Sequence, residues 1–408
     1  MRTENSLRNF FWTMMDRGVT MIGPFIIRTI FIYELGNDYV GLNGLFSSIL
    51  QVLSLSELGF ASAIIYSMYR FLAREDDVQI CALLGFYRKI YRIVGFVILI
   101  AGLMIIPFIP LLIKGDYPAD INLYAVYLVY LLNTVLSYFL FSHKQSLLKA
   151  AQKIRYVSKA DIWIAFFMYL AQGLLLVTTR NYYFYIIALP IATVARNLIV
   201  NHYSNQQYPM YQCRGIIDPV LKKEIYGKIP GIIASSLCSA SRTTFDSIFI
   251  SAYLGLVTNG IYSNYFVIIT TLVGILVSIQ AAIDASVGNS IASESVGKNR
   301  TDFEAFSSLY MLIVGWATIC LFCLFQNFMN LWTGPEGLLP VSTCYCLCVY
   351  FYVARLGDMG AVYYTAAGLW REQIPRSVAE TAANLLLNWT MVYLWGLNGI
   401  ILATVATY

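Results

Sequence analysis

The sequence predicts an all-α membrane protein of about twelve transmembrane helices, arranged as two parallel six-helix lobes around a central cavity. Three observations support this fold class. Of the 408 residues, 59% are hydrophobic and only 12% are charged, whereas a soluble domain has about 25% charged residues. Apolar runs long enough to cross a bilayer recur along the whole chain. The two halves of the chain also share a repeated pattern of residues.

The predicted spans are apolar runs of about twenty residues or more, separated by short polar segments. Their ranges are 10–33, 39–69, 84–113, 121–143, 158–178, 182–203, 229–252, 258–285, 304–331, 339–365 and 377–395. A twelfth run begins near 398 and continues to Tyr408, so we expect the chain to continue beyond that residue. The first run contains Asp16, Arg17 and Arg28, so it is a retained span and not the core of a cleavable signal peptide.

The distribution of positive charge predicts the orientation of the chain. With the N-terminus in the cytoplasm, twenty of the 27 Lys and Arg residues lie in inner segments, and only Lys114 and Arg180 lie in outer segments. The other five lie within spans. Cytoplasmic loops of membrane proteins carry this kind of excess of Lys and Arg. We therefore expect a multi-pass protein with a cytoplasmic N-terminus.

An offset of 219 residues relates the first half of the chain to the second. It aligns Leu35 with Leu254, Gly36 with Gly255, Gly41 with Gly260, Leu53 with Leu272, Ser67 with Ser286, Ala73 with Ala292 and Glu75 with Glu294. The offset covers six spans, an even number, so both copies have the same orientation. In transporters with parallel repeats the substrate site lies between the halves. The predicted domains are an N-terminal six-helix lobe over 1–203, a cytoplasmic linker over 204–228 and a C-terminal lobe over 229–408.

The segments between the spans show no sign of catalysis. All outer loops are short, which argues against a membrane glycan polymerase or ligase with an extracellular catalytic loop. The inner loops contain no phosphate-binding loop, no H-E-x-x-H and no D-x-D. Cys320 and Cys323 have a C-x-x-C spacing but lie within a span, far from either histidine, so we expect no metal site. The linker segment 220–229 is either an amphipathic helix on the inner surface, with its lysines toward anionic lipid, or an ordinary connection.

Five arginines lie within predicted spans, and we consider them candidate substrate-binding residues. They are Arg17, Arg28, Arg196, Arg242 and Arg355. Ionisable residues at membrane depth are costly and usually face a watery cavity or a partner. Arg17 and Arg28 are eleven residues apart and therefore share one face of a helix. Guanidinium groups stay charged and bind phosphate oxygens with two hydrogen bonds, so this set favours an anionic cargo.

Three acidic residues within spans are candidates for ion coupling: Glu57, Asp246 and Asp358. Each also has an alternative role as a static ion-pair partner. Glu57 comes at a depth similar to that of Arg17. Arg242 and Asp246 are i and i+4, and Arg355 and Asp358 are i and i+3, so each pair can neutralise itself along one helix face. Arg196 has no acid close to it in the sequence.

Two groups of motifs carry a family resemblance. The stretch from Ser56 to Tyr69, SELGFASAIIYSMY, followed by Leu72-Ala73, resembles the second-span signature of Wzx-type oligosaccharide flippases. The later stretches DSIFI (246–250), GIYSNY (260–265) and ASVGN (285–289) are similar to the matching region of the polysaccharide transporter family. That family belongs to the multidrug/oligosaccharidyl-lipid/polysaccharide (MOP) exporter superfamily, so the resemblance implies a fold like that of MATE transporters.

The resemblance also implies a function. The chain would be a flippase in the bacterial cytoplasmic (inner) membrane, not an enzyme, and it would move undecaprenyl-pyrophosphate-linked repeat units of O-antigen, capsule or exopolysaccharide. We expect no cofactor, coupling to a proton or sodium gradient or to the membrane potential, and no nucleic-acid partner. A polysaccharide polymerase and assembly proteins are expected partners. The alternative is a MATE-like, cation-coupled drug or small-molecule exporter, and the sign of the charge in the cavity distinguishes the two.

Overall fold

A computed structural model describes residues 2–54, 64–65, 67–69, 71–72, 74–241, 244–369 and 372–408. Within these residues the chain is helical and contains no strand, which confirms the predicted all-α class. The helices are α1 Arg2–Glu34, α2 Asn37–Leu53, α3 Asp77–Ile105, α4 Leu123–Phe139, α5 Ser142–Ala150, α6 Ile154–Thr179, α7 Tyr182–Gln207, α8 Pro219–Ser241, α9 Thr244–Leu254, α10 Leu256–Ser293, α11 Val296–Thr333, α12 Val341–Val353, α13 Asp358–Ala366 and α14 Ile374–Ala406. A short 3-10 segment, Ile106–Leu112, extends α3.

Many of these helices are long and apolar enough to cross a bilayer. Among the described residues six meet this condition by length and composition, namely α6, α7, α11, α14, α3 with its 3-10 extension, and the Leu256–Gln280 part of α10. The number rises to seven if α4 and α5 together form one bent span. Large apolar side chains such as Leu174, Trp316 and Leu386 are exposed on them. The chain is a multi-pass membrane protein.

Helix ends depart from the predicted spans at two places. The predicted span over 339–365 consists of α12 and α13, and the turn between them contains Arg355. Arg355, Gly357 and Asp358 lie at this turn, but the prediction placed them inside one continuous span. The predicted span over 377–395 and the run from 398 meet at Gly396, whose φ of 56° and ψ of −129° kink α14. Glycine takes this backbone conformation at little cost.

The chain divides into two compact units that do not follow the chain order strictly. The first unit contains Met1–Gly36, Ile49–Leu111 and Pro118–Ser236, and the second contains Asn37–Ser48, Leu112–Tyr117 and Leu237–Tyr408. The first part of α2 therefore belongs with the C-terminal helices. In the first unit, α1 packs closely on α6, because Gly23 leaves room for the ring of Tyr169.

The internal repeat has a structural counterpart at two helix starts. Gly36 precedes α2 with φ 99° and ψ 176°, and Gly255 precedes α10 with φ 93° and ψ 170°. Positive φ angles of this kind are accessible to glycine and strained for other residues. The two glycines aligned by the 219-residue offset therefore perform the same local function.

A second pair of aligned glycines marks a close crossing of α2 and α10 in the second unit. A side chain on Gly41 would overlap the backbone carbonyl of Leu256, and one on Gly260 would overlap the carbonyl of Asn37. Leu256 and Asn37 are themselves 219 residues apart. The crossing is thus symmetric with respect to the repeat, and glycine at both positions allows the two backbones to touch.

Candidate functional site

Arg196 on α7 forms a two-point ion pair with Asp161 on α6. Its Nε lies 2.5 Å from Asp161 Oδ1 and its Nη2 lies 3.3 Å from Oδ2, while Nη1 donates to Gln145 Oε1 at 3.2 Å. The side chains of Arg196 and Asp161 are 27% and 24% exposed, so the pair is accessible from one side. The sequence suggested no acid near Arg196. That observation concerned only the local sequence, and the partner found in the structure comes from the neighbouring helix, 35 residues earlier.

Arg196 lines a cavity of about 240 Å³ in the first unit, which we call the polar cavity. Its walls are Ile65, Tyr87, Tyr91, Ser137, Gln145, Ser146, Lys149, Thr193, Arg196 and Asn197. Two of these residues are cations, seven are neutral hydrogen-bonding residues and one is apolar. No carboxylate of the described part of the chain lines it. The cavity therefore offers positive charge together with many hydroxyl and amide groups.

Hydrogen bonds hold the walls of the polar cavity in place. Tyr87 donates its hydroxyl to Tyr91 at 2.6 Å, and both rings are buried. Thr193 donates to Asn133 Oδ1 at 2.6 Å, and Asn197 donates to the backbone carbonyl of Thr193 at 3.0 Å. Because these groups are already oriented, a ligand would lose less conformational freedom on binding than it would against a flexible wall.

Sequence reasoning missed three residues that build this site. Asp161 lies inside the predicted span over 158–178, and an acid at that depth is itself an indication of function. Gln145 and Lys149 lie on α5, a short helix at the end of a predicted span. They had no signal of their own in the sequence, because only the packing of α5 beside α7 directs them to Arg196.

Arg28 lies in a second environment of the first unit, among tyrosines. Its strongest electrostatic partners are Tyr185, Tyr130 and Tyr182. The hydroxyls of Tyr130 and Tyr182 are 3.1 Å apart, and the ring of Tyr185 lies 4.7 Å from that of Phe31. Arg28 is not among the residues that line the polar cavity. The structure thus assigns Arg28 and Arg196 to different surroundings.

The other predicted residues of the first half are placed as follows. Arg17 is exposed on α1. Its neighbour Asp16 interacts electrostatically with Asp161 and Arg196, so α1 brings a second acid toward the ion pair. Glu57, predicted at a depth similar to that of Arg17, lies outside the described residues. Although Arg17 and Arg28 share one helix face, Arg17 is exposed and Arg28 is partly buried.

Asp246 on α9 is the centre of a buried polar network in the second unit. Asp246 is almost completely buried, with only 1% of the residue exposed. Asn388 donates to Oδ1 at 3.1 Å, Thr404 donates to the same oxygen at 3.3 Å, and Tyr262 donates to Oδ2 at 3.5 Å. Arg242, the partner predicted from the i and i+4 spacing, lies outside the described residues. Each of the hydrogen bonds described here comes from a neutral group.

The network around Asp246 is rich in oxygen atoms. The hydroxyls of Thr404 and Tyr262 contact the carboxylate directly, and the amides of Asn384 and Asn388 extend the network. Asn384 donates to Thr404 Oγ1 at 3.2 Å and accepts from Asn388 at 3.3 Å. The side-chain oxygen of Asn388 is buried and has no hydrogen-bond partner within the described residues. Carboxylate, hydroxyl and amide oxygens are the ligands of hard cations, and a carboxyl group can also carry a proton.

Arg355 and Asp358 form the ion pair predicted from their spacing. Arg355 Nη1 lies 3.2 Å from Asp358 Oδ2. Tyr310 on α11 donates its hydroxyl to the same carboxylate oxygen, and Gln280 on α10 donates to Tyr310 at 2.9 Å. The side chains of the pair are 14% and 17% exposed. This network connects three helices across the turn after α12, which is the arrangement of a structural brace.

Comparison with known proteins supports the fold assignment. No family model matches the sequence, and no curated protein matches it. Among solved structures, an inward-facing conformation of a multidrug resistance MATE family transporter of the MOP superfamily matches with a TM-score of 0.72 at 15% identity, over 94% of this chain and 91% of that chain. An outward-facing conformation of such a transporter matches with a TM-score of 0.68 at 14% identity, over 99% and 91%.

A mutant MATE transporter of Vibrio cholerae matches with a TM-score of 0.61 at 13% identity, over 99% of this chain and 94% of that one. At such low identity the likeness shows the fold and leaves the cargo open. It agrees with the long apolar helices and confirms the predicted architecture. The chain has the helical fold of the MATE transporters of the MOP superfamily.

Proposed function

We propose that this chain is a flippase for lipid-linked oligosaccharides. It moves undecaprenyl-pyrophosphate-linked repeat units across the cytoplasmic membrane by alternating access, for the assembly of O-antigen, capsule or exopolysaccharide. The observation that carries this proposal is the lining of the polar cavity, with two cations and seven neutral hydrogen-bonding residues. Phosphate oxygens accept charge-assisted hydrogen bonds from guanidinium and ammonium groups, and sugar hydroxyls pair with hydroxyls and amides.

The size of the polar cavity limits what it holds. Its volume of about 240 Å³ corresponds to roughly eight water molecules at liquid density. This is room for a phosphate or a single sugar group and not for a whole repeat unit. We therefore assign the polar cavity to the charged head of the cargo, while the polyprenyl chain remains in the lipid.

Arg196 and Asp161 have complementary tasks in this scheme. Asp161 holds two nitrogens of the guanidinium in a fixed direction, and Gln145 holds a third. An arriving phosphate competes with Asp161 for these donors, and the displaced carboxylate, whose side chain is 24% exposed, can then be solvated by water. Lys149 adds a second positive charge at the same wall. Arg17, Arg28 and Arg242 remain proposed contributors to cargo binding elsewhere along the path, whereas Arg355, which Asp358 already neutralises, is assigned to a structural brace.

We assign ion coupling to the second unit. The described hydrogen bonds to Asp246 come from neutral donors, and we propose that its buried carboxylate takes up a proton or a metal ion, since an uncompensated buried charge is costly. Binding and release of a proton or sodium ion at Asp246 would therefore change the stability of the network that joins α9, α10 and α14. Glu57 and Asp358 are weaker candidates, since Asp358 already has Arg355 and Tyr310 as partners.

The proposal includes a cellular setting. The positive-charge distribution favours a cytoplasmic N-terminus, and the resemblance to the polysaccharide transporter family implies the bacterial inner membrane. The flipped repeat unit would then reach a polysaccharide polymerase and assembly proteins on the other side of the membrane.

A cation-coupled exporter of drugs or other small molecules is the second candidate. The solved structures with the same fold include multidrug resistance transporters. An organic cation entering the polar cavity would meet Arg196 and Lys149, and like charges in a site of low dielectric constant repel strongly. This lining favours the anionic glycan over the organic cation.

The test is complementation in a strain that lacks its own copy of this chain. We expect Arg196→Ala and Lys149→Ala to reduce surface polysaccharide at normal protein level, and Arg300→Gln, an exposed cation paired with Glu304 on α11, to leave it unchanged. Normal polymer in Arg196→Ala and Lys149→Ala, together with resistance to cationic drugs that depends on the wild-type chain, would support the exporter and reject the flippase.

A further inference from the structure

A second cavity of the first unit, which we call the basic pocket, is outside the cargo path proposed above. Its volume is about 550 Å³. Three of its cations, Arg88, Lys89 and Arg92, lie on α3, and the fourth, Lys222, lies on α8. All four side chains are exposed, and none forms an ion pair with a carboxylate whose side chain the structure describes. Their charges are therefore available to a ligand.

The same pocket has an apolar wall. Ile93 and Phe96 continue the lining along α3, and Ile216 comes from the connection between α7 and α8. The relative solvent exposures of these three residues are 53%, 55% and 93%. Exposed cations alone are expected on the cytoplasmic side of any membrane protein. Cations that converge with three exposed apolar side chains in one cavity are a more specific feature, since exposed apolar groups gathered at one place usually mark a binding surface.

The wall opposite α3 is a fixed structure. Tyr211 of the connection is buried, and its backbone carbonyl accepts a hydrogen bond from Lys144 Nζ at 3.3 Å. Burial and a hydrogen bond to Asp77 raise the pKa of the Tyr211 phenol to about 12, so this anchor keeps its proton at neutral pH. Gly85 on α3 lies beside the backbone at Cys213, so the connection packs against this part of the helix. The pocket is thus formed before any ligand arrives.

The charges and the apolar groups follow one another along the helix axis. From Arg88 to Phe96 is eight residues, or roughly 12 Å along α3 at 1.5 Å per residue. The cations lie nearer the start of α3, and Ile93 and Phe96 lie further into the apolar run. An amphiphile with a negative head and a hydrocarbon chain has this same order of groups over a similar distance.

We propose that the basic pocket binds an anionic phospholipid, with the phosphate of the headgroup among Arg88, Arg92 and Lys222 and an acyl chain along Ile93 and Phe96. Basic clusters at the membrane surface attract anionic lipids, and each Lys or Arg near the surface strengthens binding by roughly fivefold. The site would tie the connection between α7 and α8 to the membrane surface.

The experiment uses the full chain purified in a neutral detergent and three probes: short-chain phosphatidylglycerol, short-chain phosphatidylcholine and inorganic phosphate. Binding is followed by the shift in Tm and by the bound lipid seen in native mass spectrometry. We expect phosphatidylglycerol to bind and raise Tm, and the other two probes to have little effect. In Arg88→Gln/Arg92→Gln, affinity for phosphatidylglycerol should fall by about 20-fold or more, since two charges are lost.

The matched control is Lys298→Gln/Arg300→Gln, which removes two exposed cations that are paired with Asp302 and Glu304 on α11. It should bind phosphatidylglycerol as the wild type does. If Arg88→Gln/Arg92→Gln does not fold, Lys89→Gln/Lys222→Gln removes one cation from each wall and should show the same loss. Equal binding of both lipids, an equal response to inorganic phosphate, or an equal loss in the control would each overturn the proposal.

Discussion

The polar cavity of the first unit and the Asp246 network of the second unit are both polar sites in apolar surroundings, and they treat charge in opposite ways. The polar cavity is lined by two cations, Lys149 and Arg196, and Arg196 has Asp161 2.5 Å away. In the network the charged group is Asp246, whose described hydrogen bonds come from neutral side chains. The cations that line the polar cavity favour binding of an anionic cargo. The carboxylate of Asp246, which is hydrogen-bonded by neutral groups, favours binding of a small cation or a proton.

The charged groups of the two sites also differ in how deeply they are buried. The Arg196 and Asp161 side chains are 27% and 24% exposed, whereas Asp246 is 1% exposed. An anion the size of a phosphate can reach the first site and exchange with Asp161. Only a proton or a bare ion can reach the second without breaking the packing around it. The comparison therefore supports the proposal that cargo binds in the first unit and that ion coupling belongs to the second.

The largest expected effect is on cargo transport by Arg196→Ala. A hydrogen bond to a charged group contributes about 1.5–3 kcal/mol, so we expect flipping of a fluorescent pyrophosphate-linked lipid in vesicles to slow by roughly 10- to 100-fold. Arg196→Lys keeps the charge without the two-point geometry and should lie between this variant and the wild type. Equal flipping rates in all three proteins would show that the polar cavity does not bind the cargo.

The next effect concerns coupling. Asp246→Asn keeps the shape and most hydrogen bonds of the side chain but cannot take up a proton or balance a cation. We expect transport in vesicles to become independent of imposed proton and sodium gradients, with cargo affinity unchanged. Asp302→Asn, a partly exposed acid paired with Lys298, serves as the control. Full gradient dependence in Asp246→Asn would contradict the assignment of coupling to the second unit.

A smaller effect is expected from the hydroxyl of Thr404. Thr404→Val removes a donor to Asp246 with little change in shape, and the loss of one such hydrogen bond costs about 1 kcal/mol. The gradient needed for half-maximal transport should rise by roughly fivefold. The control is Thr390→Val, since Thr390 bonds only to backbone carbonyls of its own helix. A similar change in both variants would mean that the effect is general to α14.

The smallest effect on transport is expected for the brace formed by Arg355 and Asp358. Arg355→Gln breaks a largely buried ion pair, which should lower the free energy of unfolding by about 1–3 kcal/mol. The transport rate per folded molecule should stay within about twofold of wild type, because the pair is neutral by itself. Thermal unfolding and transport are measured on the same preparation. A stable protein with a large loss of transport would instead make Arg355 a cargo residue.

The sequence predicted local features of both sites and missed the contacts between distant helices. The pair of Arg355 and Asp358 was predictable because three residues in sequence bring the side chains together. The positive-φ glycines Gly36 and Gly255 were aligned by the repeat before their conformation was known. In contrast, Asn388 and Thr404 are 142 and 158 residues from Asp246, and only helix packing brings them to it.

Some of what was missed had a signal in the sequence. Asp161 lies in a predicted span, and its cost at that depth was reason enough to look for a cation on a neighbouring helix. The break after α12 also had a signal, because Arg355, Gly357 and Asp358 interrupt the apolar run there. Patterns of hydropathy find a helix more reliably than they find where it is interrupted.

Binding of two probes to the purified full chain tests the central claim most directly. Undecaprenyl pyrophosphate and tetraphenylphosphonium, an organic cation, are titrated separately into the wild type and into Arg196→Ala. The account predicts that the pyrophosphate lipid binds the wild type, that its affinity falls by roughly 10- to 100-fold in the variant, and that the cation does not compete with it. Binding of the cation alone, or binding of the lipid that does not depend on Arg196, would contradict the account.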